Sequence, residues 1–155
     1  MTGHEPQGYL LDTDVISHFT PGRALPAGTP ADLPGWFAHQ SERLWLSGIS
    51  LAEIRAGIER ARHTGQPAKA AMLDGWIASL ILAYGARILA LDIAAAHHTG
   101  LLIDRARRGG LPAGFADLAI AGTAAAHGLT VLTRNVRHYA PLGVAFHNPF
   151  ESLPT

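Results

Sequence analysis

The segment Tyr9-Leu10-Leu11-Asp12-Thr13-Asp14-Val15-Ile16-Ser17 decides how the rest of the chain is interpreted, because its apolar run ends abruptly in carboxylates. Tyr9–Leu11 has the composition of a short buried strand, which places Asp12 at the carboxyl end of that strand. In open parallel α/β sheets, ligands bind in the crevice outside this end of the strands. A buried carboxylate is costly unless it meets a cation, hydrogen-bond donors or a metal. The segment therefore predicts a ligand-binding acid at Asp12.

The composition excludes several classes of protein. The 155 residues contain no cysteine, so disulfides, thiolate catalysis and cysteine-ligated zinc are excluded. Twelve basic residues balance twelve acidic ones, whereas a protein that holds nucleic acid mainly by charge is basic overall. A nucleic-acid partner would therefore be bound locally or with the help of a metal. No segment resembles a signal peptide or a membrane span, so we expect a soluble, cytoplasmic protein without membrane contact.

The hydrophobic pattern predicts a single domain over residues 1–155, with Met1–Gly8 as a flexible tail. The predicted strands are Tyr9–Leu11, Leu44–Ile49, Arg87–Leu91, Leu129–Thr133 and Val144–Phe146. The predicted helices are Asp14–Phe19, Leu33–Arg43, Ser50–Arg62, Ala68–Tyr84, Asp92–Arg108, Phe115–His127 and, as a short turn or helix, Asn135–Tyr139. Apolar strands that alternate with helices are typical of a parallel sheet covered on both faces. The predicted fold class is α/β, a three-layer α/β/α sandwich with a central parallel sheet of about five strands.

Four oxygen-bearing side chains are predicted to meet at the carboxyl edge of this sheet. Asp12 ends the first strand, Glu53 lies in the first turn of the helix after the second strand, and Asn135 follows the fourth strand. Asp117 opens a helix that runs antiparallel to the strands and so begins at the same edge. Such oxygen ligands suit Mg²⁺ or Mn²⁺. Three carboxylates, with Asp14 nearby, also require a divalent cation or added protons to relieve their repulsion.

Most of these residues also fit an ordinary structural role. Glu53 completes a capping-box pattern with Ser50, in which it would only bind a backbone N–H. Asp14 stands where a helix N-cap is expected. Asp117 suits a residue that interacts only with the helix dipole, and Asn135 suits a turn. The strand-end carboxylate is the exception, since an acid directly after two leucines has no routine structural function.

The remaining polar residues form no other catalytic motif. The nine histidines include no His-Glu-x-x-His pair, and we interpret most of them as surface residues. No P-loop, Gly-x-Gly-x-x-Gly or Gly-x-Ser-x-Gly sequence occurs. Arg134 and Arg137 flank Asn135 and are placed to contact phosphates, for which the planar guanidinium is well suited.

Four segments of the chain match a known family in order and spacing. They are Leu-Leu-Asp12-Thr-Asp-Val, Ser-Leu-Ala-Glu53-Ile-Arg-Ala-Gly-Ile, Phe-Ala-Asp117-Leu-Ala-Ile-Ala and Leu-Thr133-Arg-Asn135-Val-Arg-His-Tyr. With these segments the sequence resembles the PIN-domain ribonucleases, in particular the VapC-type toxins of bacterial toxin–antitoxin pairs. The resemblance extends from about Tyr9 to Phe150.

The resemblance implies cleavage of RNA with Mg²⁺ or Mn²⁺, a homodimer, and inhibition by a cognate antitoxin. The matching positions assign the catalytic residues, of which the first three are also the metal ligands: Asp12, Glu53, Asp117 and Asn135. Thr133 occupies a hydroxyl position beside them. Asp14 stands where many relatives have Asn, so it is expected to support the ligands or cap a helix. Because an amide at position 135 carries no charge, one bound metal is favoured over two.

Two other functions fit parts of the sequence. A degenerate PIN domain that only binds RNA or a protein partner agrees with the zero net charge, although the presence of all three carboxylates argues against it. A haloacid-dehalogenase-like phosphatase is suggested by Asp12-Thr-Asp14-Val, which resembles its Asp-x-Asp nucleophile motif. That enzyme also needs a downstream lysine and a late pair of acids. Lys69 lies within a predicted helix, and no acid follows the fourth strand before Glu151.

Overall fold

The computed structural model describes residues 7–155, so the predicted tail Met1–Gly8 lies outside the described residues except for its last two. Gly8 is buried, and its carbonyl accepts a hydrogen bond from the backbone N–H of Thr130 at 3.1 Å. Within residues 7–155, no helix is long and apolar enough to span a membrane.

Five strands and seven α-helices form the described part of the chain, in the alternation that the sequence predicts. They are β1 (Tyr9–Leu11), α1 (Thr13–His18), α2 (Leu33–His39), β2 (Leu44–Ser47), α3 (Gly48–His63), α4 (Pro67–Tyr84), β3 (Ile88–Leu89), α5 (Ile93–Gly109), α6 (Phe115–His127), β4 (Thr130–Leu132), α7 (Val136–Tyr139) and β5 (Phe146–His147). The predicted helix Leu33–Arg43 ends at His39 and is followed by a separate 3₁₀ turn, Ser41–Arg43. The other bounds differ from the prediction by at most two residues.

The five strands form one parallel sheet in the order β3-β2-β1-β4-β5. The chain adds β2 and β3 on one side of β1 and then returns to add β4 and β5 on the other side. This reversal makes the carboxyl ends of β1 and β4 the switch point of the sheet, where open α/β folds bind their ligands. The predicted fold class is confirmed, and Asp12 and Thr133 are the residues that directly follow these two strands.

A hydrophobic core covers each face of the sheet. Successive residues of a strand point to opposite faces, so neighbours in the sequence enter different cores. Leu11 packs into a core with Ile58 of α3, together with residues of α1 and α4. Leu10 packs into a second core with Ile120 of α6, together with residues of α5. The two cores account for the three layers, and they hold the β1–β4 switch point rigidly from both sides.

A close backbone contact between α5 and α6 fixes the helix that carries Asp117. A Cβ at Gly122 of α6 would lie 2.7 Å from the backbone nitrogen of Thr99 and 2.8 Å from its Cα. Both residues are buried. Only glycine allows this approach, so a larger side chain has to push the two helices apart.

We expect Gly122→Ala to lower the free energy of unfolding by about 2 kcal/mol, because the added methyl group overpacks the α5–α6 contact. The matched control is Gly100→Ala on α5, where a Cβ meets nothing within 4 Å. This control should raise stability by up to about 1 kcal/mol through helix propensity alone. Urea denaturation of both variants measures the difference, and equal shifts in the same direction would contradict the packing argument.

Candidate active site

Asp12 lies at the switch point with its backbone and carboxylate both fixed. Its N–H donates to the carbonyl of Leu132 at 2.9 Å and so extends the pairing of β1 with β4. Carboxylate Oδ1 accepts the N–H of Thr13 at 2.8 Å, and Oδ2 accepts the hydroxyl of Thr133 at 2.8 Å. The side chain is buried and also serves as the N-cap of α1. Asp12 therefore combines the predicted strand-end position with the cap function that the sequence offered to Asp14.

The Asp12 carboxyl is poorly compensated for a buried acid. Burial raises its pKa to about 7, and the negative charge of Asp14 and, less strongly, that of Asp117 act in the same direction. The hydrogen bonds from Thr133 and Thr13 oppose the shift without cancelling it. In the described part of the chain, no arginine, lysine or histidine forms an ion pair with Asp12. Such a group has a strong demand for a cation.

Glu53 lies in the second turn of α3, so the predicted capping box is wrong. The strand β2 ends at Ser47, and the Ser47 hydroxyl accepts the N–H of Ile49 at 3.1 Å as the N-cap of α3. The helix therefore begins two residues before the predicted start. Glu53 is exposed and instead accepts a hydrogen bond from the hydroxyl of Thr13, with Thr13 Oγ1 and Glu53 Oε1 separated by 2.5 Å. Thr13 thereby connects Glu53 to Asp12, which directly precedes Thr13 in the chain.

Asp117 enters the site from the first turn of α6 and is held by a histidine. Its Oδ2 lies 2.6 Å from Nδ1 of His138, which belongs to α7 and is half-buried. No sequence motif marks His138, because its contact with Asp117 arises only when α7 packs beside α6. The sequence signal available was its place three residues after Asn135.

Asp14 supports the loop after β4 rather than a helix end, which corrects the predicted N-cap. Its Oδ2 accepts the backbone N–H of Arg134 at 3.1 Å. Its Oδ1 is buried and has no hydrogen-bond partner within residues 7–155. Burial raises the pKa of this carboxyl, and the bonds from the N–H groups of Arg134 and Val15 lower it. Asp14 is thus a second acid with an unused oxygen, and its charge raises the pKa of Asp12.

Thr133 and Asn135 continue the site along the loop between β4 and α7. Thr133 is fully buried, and its hydroxyl donates to Asp12 while accepting the N–H of Asn135 at 2.9 Å. The predicted hydroxyl position beside Asp12 is therefore occupied as expected. Asn135 is exposed, and its side chain makes no hydrogen bond within the described range. Its amide is available to a ligand.

Tyr139 is a buried residue of the site that sequence reasoning missed. Its ring is fully buried, and its hydroxyl lies close enough to Asp12 to interact with that carboxyl, although it makes no hydrogen bond of good geometry among residues 7–155. Burial, followed by the negative charges of Asp12 and Asp117, raises the pKa of this phenol well above its usual value. The hydroxyl therefore stays protonated against the acids. A hydrophobic pattern cannot distinguish it from an ordinary core tyrosine.

The predicted residues meet at one edge without forming a finished metal site. In residues 7–155, no three His, Cys, Asp or Glu side chains are arranged to hold a metal ion. Asp12 and Asp117 are electrostatically coupled, whereas Glu53 and Asp117 are engaged with Thr13 and His138. The donors are oxygens, and among residues 7–155 the buried Oδ1 of Asp14 lacks a hydrogen-bond partner. Asp14 and Asp117 both place negative charge near Asp12. This donor chemistry fits a hard divalent cation.

The raised pKa of Asp12 predicts how the stability of the metal-free protein depends on pH. In the unfolded chain its pKa is near 3.8 and in the folded chain about 7, so between these values the folded state holds an extra proton. The free energy of unfolding should therefore fall as pH rises from about 4 to about 7.

Asp12→Asn should lose this pH dependence, because the amide does not titrate. At pH 8 we expect the variant to be more stable than the wild type by about 4 kcal/mol. Urea denaturation in EDTA at pH 5 and pH 8 measures the effect. Asp104→Asn, which alters an exposed acid paired with Arg108, is the control and should leave the pH dependence unchanged. If the difference in unfolding free energy between the wild type and Asp12→Asn is the same at pH 5 and pH 8, the raised pKa of Asp12 is refuted.

Comparisons with known proteins agree with the fold and with the resemblance seen in the sequence. The family model for the PIN domain matches residues 9–141. The plasmid stability protein StbB of Pseudomonas syringae pv. tomato is 33% identical over 144 residues, which cover 92% of this chain and 99% of the relative. The VapC ribonuclease Y4jK of Sinorhizobium fredii is 32% identical over 145 residues, covering 92% and 97%.

Solved structures show the same likeness in three dimensions. The crystal structure of FitAcB from Neisseria gonorrhoeae superposes with a TM-score of 0.77 at 31% identity, covering 93% of this chain and 99% of the other. DNA-bound VapBC from Salmonella typhimurium superposes with a TM-score of 0.69 at 26% identity, covering 90% and 96%. The chain belongs to the PIN-domain family.

Proposed function

We propose that the acids around Asp12 make this protein a metal-dependent endoribonuclease, which acts as the toxin of a toxin–antitoxin pair. The observation that carries the proposal is the Asp12 carboxylate, which is buried at the switch point, only partly compensated by hydrogen bonds, and close to further acids. The similar protein from Sinorhizobium fredii is named a VapC ribonuclease. Similar proteins from Shigella flexneri and Salmonella typhimurium are named tRNA(fMet)-specific endonucleases.

Asp12, Glu53 and Asp117 are the residues that would hold Mg²⁺ or Mn²⁺. When bound, such an ion stabilises charge on a phosphate oxygen and lowers the pKa of a water molecule. Asp12 is the fixed member, because two hydrogen bonds hold its carboxylate. Glu53 is exposed on α3 and is held only through side-chain hydroxyl contacts, so it can turn toward the ion with little cost to the fold.

The remaining residues have roles that follow from their contacts. His138 orients Asp117 by donating from Nδ1 to its Oδ2. Asn135 presents a free amide at the rim of the site, where it can donate to an RNA phosphate. An acid of the cluster accepts the proton that the attacking water gives up. Tyr139 is fully buried and interacts with the Asp12 carboxyl, so it belongs to the surroundings that fix this acid.

Loss of a carboxylate should abolish RNA cleavage without unfolding the protein. We expect Asp12→Asn and Asp117→Asn each to reduce cleavage by more than about 100-fold, since each removes a ligand and not merely a residue that orients one. EDTA should abolish the wild-type activity, and added Mg²⁺ or Mn²⁺ should restore it. The assay follows cleavage of a labelled RNA on a denaturing gel, with thermal melting as the check of folding.

The exposed acid Asp104 again provides the matched control. Asp104→Asn makes the same chemical change, from carboxylate to amide, at an exposed position of α5, and it should retain full activity. Asp12→Asn that cuts RNA as fast as the wild type would rule out the proposed centre. Sequencing the RNA ends produced after brief expression of the wild type and of Asp12→Asn would identify the RNA that is cut.

A binding module without catalysis is the second candidate, and one observation favours it. Glu53 and Asp117 are engaged with Thr13 and His138, and the described residues contain no finished metal site. A degenerate PIN domain would bind RNA or a protein in the same groove. The cleavage assay separates the two candidates, because the binding module would not cut RNA with any added metal.

We also propose a protein antitoxin as partner and a homodimer as the assembled state. Solved structures similar to this chain are described as complexes, among them FitAB bound to DNA. The surface beside Glu53 offers a place for such a partner, in a groove of about 550 Å³ between α1, α3 and α4. Its lining is polar at Thr13 and Glu53 and apolar at Met72 and Trp76. An amphipathic segment with a cation near its end matches this lining.

A further inference from the structure

Two arginines from distant parts of the chain converge on one histidine nitrogen beside the acid cluster. Arg134 follows β4, and its NH1 lies 3.2 Å from Nε2 of His18. Arg23 lies in the loop after α1, and its NH2 lies 3.4 Å from the same nitrogen. The position of Arg134 next to Asn135 predicts a phosphate contact, whereas no sequence pattern marks Arg23 or His18.

The buried ring of His18 can serve as the acceptor for both arginines. Its Nδ1 lies 2.7 Å from the backbone carbonyl of Asp14. A carbonyl accepts only, so Nδ1 carries the hydrogen, and in the neutral ring Nε2 presents its lone pair to the two guanidinium groups. The side chain is only 7% exposed and packs against Phe150, with ring centroids 5.0 Å apart. His18 is therefore a fixed point that brings the two cations together.

Neither guanidinium forms an ion pair with a carboxylate in the described part of the chain. The Asp14 carboxylate binds the backbone N–H of Arg134 and interacts with its guanidinium only electrostatically. Both arginines are exposed to solvent. Two positive charges held beside each other repel, and an anion that bridges them removes this repulsion. Guanidinium groups bind phosphate through paired N–H donors.

Further contacts hold the pair in place. The Arg134 guanidinium carbon lies 5.9 Å from the centre of the Phe150 ring, and its backbone N–H is bound by Asp14. Arg23 NH1 donates to the carbonyl of Ser17 at 3.3 Å. Preorganisation of this kind lowers the entropy lost when a ligand binds.

The pair lies next to the proposed metal ligands. Asp14 connects the Arg134 loop to α1, two residues after Asp12. Arg23 lines the same groove as Thr13 and Glu53. The arginines and the acids thus share one groove and one edge of the sheet, along which a strand of RNA can place successive phosphates.

We propose that Arg23 and Arg134, positioned by His18, form a subsite for a backbone phosphate of single-stranded RNA that flanks the cleaved bond. The inference rests on the proposed ribonuclease function and adds the residues that hold its substrate. The subsite would also allow a chain with zero net charge to bind a polyanion, because two cations without an ion-pair partner among the described residues are concentrated at the active edge.

The test measures RNA binding without cleavage. The probe is an oligouridylate of about ten nucleotides with a 5′ fluorescein and no terminal phosphate, and anisotropy is recorded in EDTA at several salt concentrations. Arg23→Gln and Arg134→Gln should each lower the slope of log K against log salt by about 0.7 and weaken binding about fivefold at 0.1 M salt. Arg60→Gln removes an exposed cation of α3 that forms no ion pair within residues 7–155, and it should bind like the wild type.

The positioning role of His18 has its own variants. His18→Gln keeps a side-chain acceptor, and His18→Leu removes it while filling the same buried space beside Phe150. RNA binding should be largely retained by the glutamine variant and weakened severalfold by the leucine variant, with melting curves showing that both fold. In cleavage assays the arginine variants should raise KM with little change in kcat, because the contact is present both in the bound substrate and in the transition state. Equal binding by both His18 variants would show that the histidine does not position the arginines.

The outcomes distinguish this subsite from the proposed function. If the wild type cuts RNA but both arginine variants bind like Arg60→Gln, the subsite is wrong and the nuclease stands. If the arginine variants lose binding and no metal supports cleavage, the phosphate site stands and the nuclease is wrong. If Arg60→Gln weakens binding as much as the other two, attraction is by general charge, and the subsite is refuted.

Discussion

The burial of one carboxylate at the point where the sheet changes direction constrains the rest of the site. Asp12 cannot move, because its N–H continues the β1–β4 ladder and its two oxygens accept bonds from Thr13 and Thr133. Those bonds offset only part of the cost of burying a charge, and neighbouring acids add to that cost. The fold thus maintains a local deficit of positive charge, and a bound cation or proton relieves it. The two hydrophobic cores supply the stability that makes this deficit tolerable.

Two threonine hydroxyls transmit the position of Asp12 to the other segments. Thr13 contacts Glu53 of α3, and Thr133 accepts the N–H of Asn135. Segments separated by more than a hundred residues are therefore held in register by single side chains next to the strand ends. A hydroxyl is suited to this position because it can donate to a carboxylate and accept from an amide at once. An apolar side chain at position 13 or 133 would remove these hydrogen bonds, so the acids would no longer be held in a fixed arrangement.

The sequence predicts this architecture well wherever local signals are strong. The strand Tyr9–Leu11 and the helix Phe115–His127 have the predicted bounds, since an apolar run ends in an acid and Gly128 ends the helix in a left-handed conformation. The start of α3 was misplaced because two serines compete for the cap, and only the pairing of β2 shows that Ser47 has it. His138 and Tyr139 were missed because their contacts depend on how α7 packs.

Acids and arginines lie close together at one edge of the sheet, and the zero net charge of the chain does not reveal this local separation of charge. The acid cluster repels the phosphates of RNA as well as its own members, so binding at this edge needs positive charge that does not depend on the metal. Arg23 and Arg134 are the proposed source of this charge, because both contact the buried His18 and neither forms an ion pair with a carboxylate of the described residues. Under the proposed function, the arginines would hold the substrate while the acids hold the ion that acts on it. Separating the two charges lets one edge of a neutral protein attract both a cation and a polyanion.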